Sequence, residues 1–585
     1  MATLSGYFSP RSILSLESVG RKTPVTASNA GPLIQKWLSD CCTSHQPCWT
    51  SFAGEKLDPE TLGTWPSRLL HISPETRKNS PDITIVRLVE TGGKYLGRYA
   101  TLSHCWGPPE NRPKCTMIKN LEQHKIGIPL GELPKSFYDA ITVCCEVDIC
   151  YLWIDSLCIV QDDVSDWKRE SAIMGRIYQQ SFVTLAAASA SNSSGGLFDV
   201  RRPPKTTELP YHDIEGGGRD GTLLAYLEDD TQIHWDTLKR TPLGKRGWIM
   251  QEFLLSRRIV HFTDQGLAFT CWGDTGPSGP ASFRTEFGEY DLEQQVDSWQ
   301  EVVMDYTSRE LTFQSDKLAA VEGMARSFAR RDNYQYYYGM FLDLFPLGLI
   351  WETDARCPVT RTCTKGEIPS WSWASRSCPV TTPYSLVHEM PHDWRSDGIC
   401  NLVDACHETV PGGLRVRGAL RQVTTHGDTA RCPALATPHR MTFEEVQSAR
   451  TTCSTTSLGS GVGMAGSCGC LRAATISANP TTEFEGIFIL KSPEEGLDIG
   501  WGRFDDGGSA SGTLYILPIF RVDSEEMEHV ARNGLPAVKT SEPSRWWSLL
   551  VQRGSVPATY QRVGFGEVQV RQWMHDLTLE EICLT

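Results

Sequence analysis

The chain has 585 residues, of which 40% are hydrophobic and 22% charged, and this balance predicts a largely globular protein of about two to four domains. Its formal net charge of −14 argues against a broad nucleic-acid-binding face and against attachment to an anionic membrane surface. Because no apolar run has the length of a secretory signal or a membrane span, we expect a cytoplasmic protein whose 20 cysteines are mostly reduced.

The N-terminal part of the chain divides into a tail and a flanking segment. Residues 1–30 are polar and are predicted to be a disordered tail. Residues 31–98 are predicted to contain a helix in PLIQKWLSDCC and strands in SRLLHIS and ITIVRLVE. The last of these alternates apolar and polar residues, which is typical of a half-exposed strand.

The region 99–262 alternates strand and helix patterns. Strands are predicted at YATLSHCW, ICYLWIDSLCIV, SFVTLAAAS and RIVHF, and helices at PKSFYDAITVCCEV, at DDVSDWKRESAIMGRIYQQ and from Trp248 onwards. The strands are almost continuously apolar, which indicates an α/β fold with a parallel sheet covered on both faces. In such sheets ligands bind outside the carboxyl ends of the strands, where residues 103–106, Asp155 and Ser189 are expected.

The patterns change after this region. Residues 285–355 are predicted to be helical, and the apolar window 336–351 is expected to form a buried helix. Residues 356–447 have a mixed, partly β pattern, and residues 481–585 are predicted to be β-rich. Between them, residues 448–480 are rich in Ser, Thr and Gly and are predicted to be a disordered insertion.

Several long blocks in the central region resemble the fungal heterokaryon incompatibility (HET) domain family. YATLSHCWG, LPKSFYDAI, YLWIDSLCIVQDD and RGWIMQE follow one another in the family's order over residues 99–252. The resemblance implies a HET domain at 99–262 in an intracellular fungal protein of non-self recognition, whose activation leads to programmed cell death. The family is distantly similar to Toll/interleukin-1 receptor (TIR) domains, which implies a flavodoxin/TIR-like parallel sheet.

The same resemblance draws attention to Glu252, a carboxylate within the apolar stretch WIMQEFLL. TIR domains that cleave NAD carry a Trp-Cys-x-x-Glu signature with a catalytic glutamate. Trp248 and Glu252 have this spacing, although Ile249 replaces the cysteine. The resemblance therefore implies a NAD glycohydrolase with Glu252 as its catalytic residue and NAD as substrate, without a cofactor. The residues expected to line the substrate site are Ser103, His104, Trp106, Asp155 and Trp248.

Structural alternatives exist for these residues and for the function. Glu252 pairs with Arg246, Arg257 or Arg258 on an exposed rim in one alternative, and Asp155 hydrogen-bonds the loop that follows it. At the level of function, the alternative is a non-enzymatic module that signals through recruitment of an incompatibility partner or through self-association. A third possibility is a family member that has acquired another role.

Two further polar patterns favour structural roles. Cys41-x3-His45-x2-Cys48 offers three zinc ligands, but no fourth ligand follows at a standard spacing. We therefore expect a buried cluster that packs a helix end, and no metal site. Glu170, which follows Lys168 and Arg169, is expected at a solvated helix position.

Overall fold

The computed structural model describes the following residues: 27–50, 56–57, 65–73, 85–198, 207–212, 220–225, 235–264, 266–273, 292–353, 368–381, 399–406, 410–426, 487–494, 498–505, 512–522, 545–568, 574 and 578–585. The chain divides into two compact units, Met1–Glu289 with Ala319–Arg331 and Tyr290–Leu318 with Asp332–Thr585. The predicted insertion 448–480 and positions 1–26 of the predicted tail lie outside the described residues. None of the helices in the described ranges is both long and apolar enough to cross a membrane.

The described residues combine α-helices with two large sheets. The helices are α1 Ala27–Ser44, α2 Leu121–Ile126, α3 Lys135–Glu146, α4 Asp155–Cys158, α5 Val164–Gln180, α6 Trp235–Arg240, α7 Ile249–Leu255, α8 Leu292–Thr307 and α9 Ala319–Asp332. The strands of the first unit are β1 Arg68–His71, β2 Ile85–Glu90, β3 Tyr99–Ser103, β4 Ile128–Pro129, β5 Tyr151–Trp153, β6 Val183–Ala186, β7 Thr207–His212, β8 Asp220–Ala225, β9 Arg258–Phe262 and β10 Leu267–Cys271.

Eight strands of the first unit form one mixed sheet in the order β10-β9-β6-β3-β5-β1-β2-β4, whereas β7 and β8 form a separate hairpin. The central strands β9, β6, β3 and β5 are parallel, as the apolar runs predicted. The outer strands β10, β1, β2 and β4 are antiparallel to their neighbours, so the sheet as a whole is mixed. Every residue of β3, β6 and β9 is buried, which explains why these strands lack polar alternation.

The apolar run 149–160 does not form one long strand. Strand β5 ends at Trp153, and the one-turn helix α4 begins at Asp155. The Asp155 carboxylate accepts the backbone N–H of Ser156 at 2.7 Å and so satisfies one of the free donors at the start of this helix. The acidic residue thus marks the end of the strand and lies at its carboxyl edge.

Helix α5 packs closely against α7. The Asp163 side chain caps the start of α5 by accepting the backbone N–H groups of Ser165 and Asp166. Further along α5, a Cβ atom at Gly175 would lie 2.9 Å from Cδ1 of Leu255, the last residue of α7. The same Cβ atom would lie 3.0 Å from the backbone Cα of Gly323 in α9, so a side chain at position 175 would have to displace its neighbours.

The second unit is dominated by β-structure, as predicted for the C-terminal region. Its strands are β11 Tyr336–Tyr337, β12 Met340–Phe341, β13 Glu352–Thr353, β14 Val380–Thr381, β15 Cys400–Cys406, β16 Gly413–Gly418, β17 Arg421–His426, β18 Ile487–Lys491, β19 Asp498–Phe504, β20 Leu514–Val522, β21 Arg545–Arg553, β22 Thr559–Val568 and β23 Glu580–Leu584. Nine of them form a sheet in the order β15-β16-β23-β22-β19-β18-β17-β20-β21.

The window 336–351 was predicted to be a buried helix, and this prediction is wrong. The hairpin β11–β12 is followed by the short 3-10 helices Leu342–Leu344 and Leu347–Leu349. Gly339 has a φ of 94° in the turn of the hairpin, and Pro346 separates the two 3-10 helices. Both residues interrupt α-helical geometry, whereas the apolar composition alone does not distinguish a helix from a buried hairpin.

Candidate functional site

Most of the predicted site residues meet at the carboxyl edge of the parallel strands. Ser103 is the last residue of β3, His104 follows it, and Asp155 lies two residues after β5. The indole Nε1 of Trp106 donates to Asp155 Oδ2 at 2.8 Å, and His104 Nδ1 lies 3.8 Å from Asp155 Oδ1. Glu252 reaches the same edge from α7.

Glu252 is a buried carboxyl group with a perturbed proton affinity. The residue is 6% exposed, and burial raises its pKa to about 7, against the partly compensating charge of Arg246. The Tyr178 hydroxyl donates to the carboxylate and lowers the pKa, whereas the negative charge of Asp155 raises it. The Ser103 hydroxyl also lowers the pKa, although its oxygen forms no hydrogen bond of ordinary geometry within the described ranges.

The structure does not show Glu252 in an ion pair on an exposed rim. Arg257 donates to the carbonyl oxygens of Gln180 and Ser181, at 3.1 Å each. Arg258 donates through its Nε to Cys41 Sγ. Arg246 is the arginine whose charge acts on Glu252, and its guanidinium donates to the backbone carbonyl of His104.

Asp155 organises the loop that follows β3. Its two carboxylate oxygens accept the Ser156 N–H and the Trp106 indole N–H, so the hydrogen-bonding role considered from the sequence is present. Burial lowers the pKa of His104 to about 4, against the opposing effect of Asp155, and the imidazole is therefore neutral near pH 7. This ring packs edge-on to Phe137, with centroids 4.9 Å apart.

The site has a buried floor and a partly exposed border. Ser103, His104, Tyr178 and Glu252 are buried. The border consists of partly exposed residues, namely Trp106, Asp155, Arg246 and Trp248. Trp248 directly precedes α7, one turn before Glu252. When ionised, the Glu252 carboxylate at this edge is suited to stabilising positive charge on a bound molecule.

Sequence reasoning missed Tyr178 and Arg246 as parts of this site. Tyr178 belongs to the apolar face of the segment predicted as the helix DDVSDWKRESAIMGRIYQQ and attracted no separate attention, and Arg246 was considered only as a rim partner. A usable signal existed for Tyr178, because a buried tyrosine hydroxyl requires a hydrogen-bond partner. The identity of that partner depends on the packing of α7, which is distant in sequence.

Glu170 was predicted to be solvated, and this prediction is wrong. Glu170 is 0% exposed. The Ser67 hydroxyl donates to its Oε1, and Arg169 Nε lies 3.5 Å from the same oxygen. The charged neighbours in sequence suggested a solvated face, whereas position 170 faces the segment just before β1.

A second group of potential ligands lies in the same unit. The side chains of Cys41, His45, Cys48 and Cys271 place their ligand atoms within 4.8 Å of one another. The sequence pattern contained the first three residues. Cys271 could not be assigned to them, because it comes from β10, more than 200 residues later.

Residues 99–252 match the family model described as Heterokaryon incompatibility protein (HET). These residues form a HET domain. The match confirms the family resemblance, and all predicted site residues from Ser103 to Glu252 fall within the HET domain. The cluster of Cys41, His45, Cys48 and Cys271 lies outside it. Searches of curated proteins and of solved structures find no match to the chain.

Proposed function

We propose that this HET-domain protein is an effector of non-self recognition and cell death that hydrolyses NAD at Glu252. The observation that carries the proposal is the buried Glu252 carboxyl group at the carboxyl edge of the parallel strands, with its pKa raised to about 7. A buried acid with perturbed proton affinity at the ligand-binding edge of a sheet is a frequent property of catalytic groups.

The order of the parallel strands supports a flavodoxin/TIR-like core. Numbered in chain order, the four parallel strands are β3, β5, β6 and β9. Their order across the sheet is 2-1-3-4, that is β5, β3, β6 and β9. This is the order of flavodoxin-like sheets, in which the ligand crevice opens beside the first strand, where the strand order reverses. Ser103 and Ala186, at the ends of β3 and β6, flank this position.

The proposed reaction is NAD⁺ plus water giving nicotinamide, ADP-ribose and a proton. The glycosidic bond between ribose C1′ and the pyridinium nitrogen breaks, and its electron pair stays on the nicotinamide, which leaves as a neutral molecule. The water oxygen then bonds to C1′, and its proton is released. No general acid is needed, so the role of Glu252 is to stabilise the oxocarbenium-like transition state as a carboxylate.

The border residues have supporting roles in this proposal. Trp248 and Trp106 provide aromatic surfaces for the nicotinamide and ribose rings. Asp155 holds the indole of Trp106 through the 2.8 Å hydrogen bond. Arg246 supplies a positive charge suited to the diphosphate of NAD.

The experiment is to incubate the purified full chain with NAD and to quantify nicotinamide and ADP-ribose by liquid chromatography. Glu252→Gln removes the negative charge with little change of volume, and we expect at least a hundredfold loss of turnover, on the scale of lost transition-state stabilisation. Glu170→Gln is the matched control, since it also alters a buried glutamate. Its turnover should stay within about threefold of wild type. Absence of turnover in the wild type, or equal turnover in Glu252→Gln, refutes the proposal.

The low exposure of Glu252 favours a second candidate function. A carboxyl residue that is 6% exposed offers little surface to a substrate, which suits a module that acts by self-association or partner recruitment. Expression of Glu252→Gln in a fungal host separates the two candidates. Cell death equal to that caused by wild type supports the assembly module, whereas loss of cell death with intact folding supports the hydrolase.

A further inference from the structure

The cluster of Cys41, His45, Cys48 and Cys271 joins three separate elements of the first unit. Cys41 lies in the last turn of α1, and His45 follows the helix directly. Cys48 belongs to the 3-10 helix Gln46–Trp49, and Cys271 is the last residue of β10. Four side chains of the two residue types that zinc prefers in structural sites thus converge on one point.

The distances within the cluster suit a tetrahedral zinc ion. His45 Nδ1 and Cys271 Sγ are 3.1 Å apart, and all four ligand atoms lie within 4.8 Å of one another. A zinc ion with Zn–S bonds of about 2.3 Å holds its sulfur ligands about 3.8 Å apart. Adjustments of about 1 Å or less, within the range of side-chain rotation, therefore complete the geometry.

The His45 ring occupies space that the absence of a side chain at Gly273 leaves open. A Cβ atom at Gly273 would lie 2.3 Å from Cγ and 2.7 Å from Nδ1 of His45. Glycine at this position lets the imidazole lie against the turn after β10. Trp37 of α1 also stacks on Phe269 of β10, with ring centroids 5.7 Å apart. Helix and strand are therefore held in register around the four ligands.

A buried arginine balances the charge that a metal-bound cluster would carry. Zinc with three thiolates and one neutral imidazole has a net charge of minus one, which is costly to bury alone. Arg258 is 0% exposed, and its Nε donates to Cys41 Sγ at 3.1 Å. It is also the register partner of Cys271 between β9 and β10. A cation that donates to a ligand sulfur is a typical outer-sphere partner of a zinc–thiolate site.

We propose that Cys41, His45, Cys48 and Cys271 bind one structural zinc ion that ties α1 and the following 3-10 helix to the edge strand β10. The site is closed, because four protein ligands fill the tetrahedral positions and the three cysteines are at most 2% exposed. Binding releases the three thiol protons as the sulfurs become thiolates. The proposal is independent of NAD hydrolysis.

The test begins with the zinc content of the full chain, expressed in zinc-supplemented medium and purified without chelator. We expect about one zinc ion per chain by plasma mass spectrometry. Cys271→Ser removes the ligand that the sequence spacing does not reveal, and its zinc content should fall at least tenfold. Cys42→Ser is the matched control, because Cys42 neighbours Cys41 on α1 without belonging to the cluster, and it should retain full zinc.

Cobalt substitution provides a second readout that does not depend on a folded variant. Wild-type chain reconstituted with Co²⁺ should show the intense visible bands of tetrahedral cobalt together with sulfur-to-cobalt charge-transfer absorption. Wild-type protein that contains no zinc and gives no such bands overturns the proposal. Full zinc binding by Cys271→Ser, or equal loss in Cys42→Ser, also overturns it.

Discussion

Two buried carboxyl groups, Asp505 in the second unit and Glu252 in the first, differ in how neighbouring groups compensate their negative charge. In the second unit, Arg562 is 1% exposed and donates to both oxygens of Asp505, with distances of 2.9 and 3.2 Å. Arg562 also donates to the carbonyl of Leu349 at 2.6 Å, and its guanidinium lies over the ring of Trp351. In the first unit, burial raises the pKa of Glu252 to about 7, and Arg246 donates a hydrogen bond to the backbone carbonyl of His104.

The Asp505 carboxylate has the features of a structural charge, whereas Glu252 has those of a candidate reactive group. A two-pronged arginine pair compensates the desolvation of Asp505, so this carboxylate contributes to the integrity of the β-rich unit. Glu252 lacks such compensation, and its ionised form is disfavoured by its surroundings. Natural proteins tolerate this cost mainly where function requires it, which is why we propose a catalytic role for Glu252 and a structural role for Asp505.

The largest expected effect is the loss of the Asp505 carboxylate. Asp505→Ala leaves Arg562 buried without its acidic partner, and we expect the free energy of unfolding of the second unit to fall by about 3–5 kcal/mol. Differential scanning calorimetry measures this loss. Asp404→Ala serves as the control, because Asp404 pairs with Arg415 at 3.4 Å where both side chains are over 40% exposed. Its cost should stay below about 1 kcal/mol, and equal costs would contradict the assignment.

Glu252→Gln is expected to stabilise the first unit, with a dependence on pH. The pKa of Glu252 is raised from 4.5 to about 7 on folding, so the folded state binds the proton more tightly. Wild-type stability therefore falls as pH rises from about 4.5 to about 7, and the penalty is complete above that. The variant should gain up to about 3 kcal/mol at pH 8 and almost nothing at pH 4. Chemical denaturation across this range tests the prediction, and a constant difference contradicts it.

Replacement of Arg246 should have a smaller effect in the opposite direction. Arg246→Met removes the positive charge that lowers the Glu252 pKa, so the pKa should rise further. We expect a loss of stability at pH 8 that is on the order of 1 kcal/mol larger than in the Glu252→Gln background, where only the hydrogen bond to the His104 carbonyl is lost. A double-mutant cycle measures the coupling between the two residues. Additive effects would show that the arginine does not act on this carboxyl group.

The smallest effect is expected for Ser103→Ala. Its hydroxyl lowers the pKa of Glu252, but its oxygen forms no hydrogen bond of ordinary geometry among the described residues, and on that ground we expect a small effect. We expect a loss of about 0.5 kcal/mol at pH 8, against none at pH 4. The same denaturation series detects it. A loss that is equal at both pH values would mean that Ser103 acts through packing alone.

The sequence predicted the elements that depend on local pattern. The parallel strands β3, β6 and β9 were recognisable because both faces are buried and their sequences are continuously apolar. Asp155 was placed correctly at a strand end, although the run around it was read as one strand. The HET blocks were recognisable because several long segments match in order.

Features that depend on tertiary packing could not be predicted. The hydroxyl of Tyr178 reaches Glu252 because α5 and α7 approach closely at Gly175. Cys271 joins Cys41 because β10 forms the edge of the sheet beside α1. Neither contact leaves a periodic or spaced pattern in the sequence, since each depends on where two distant segments meet.

We propose that Glu252 acts as a carboxylate whose proton affinity is set by its burial. The most direct test is the initial rate of nicotinamide release from NAD, measured from about pH 5 to about pH 9 for wild type and Glu252→Gln. Because the proposed reaction uses the ionised carboxylate, the wild-type rate should rise through a midpoint near pH 7, and the variant should show no such rise. A wild-type rate that does not change with pH, or one that the variant matches, would rule out this role for Glu252.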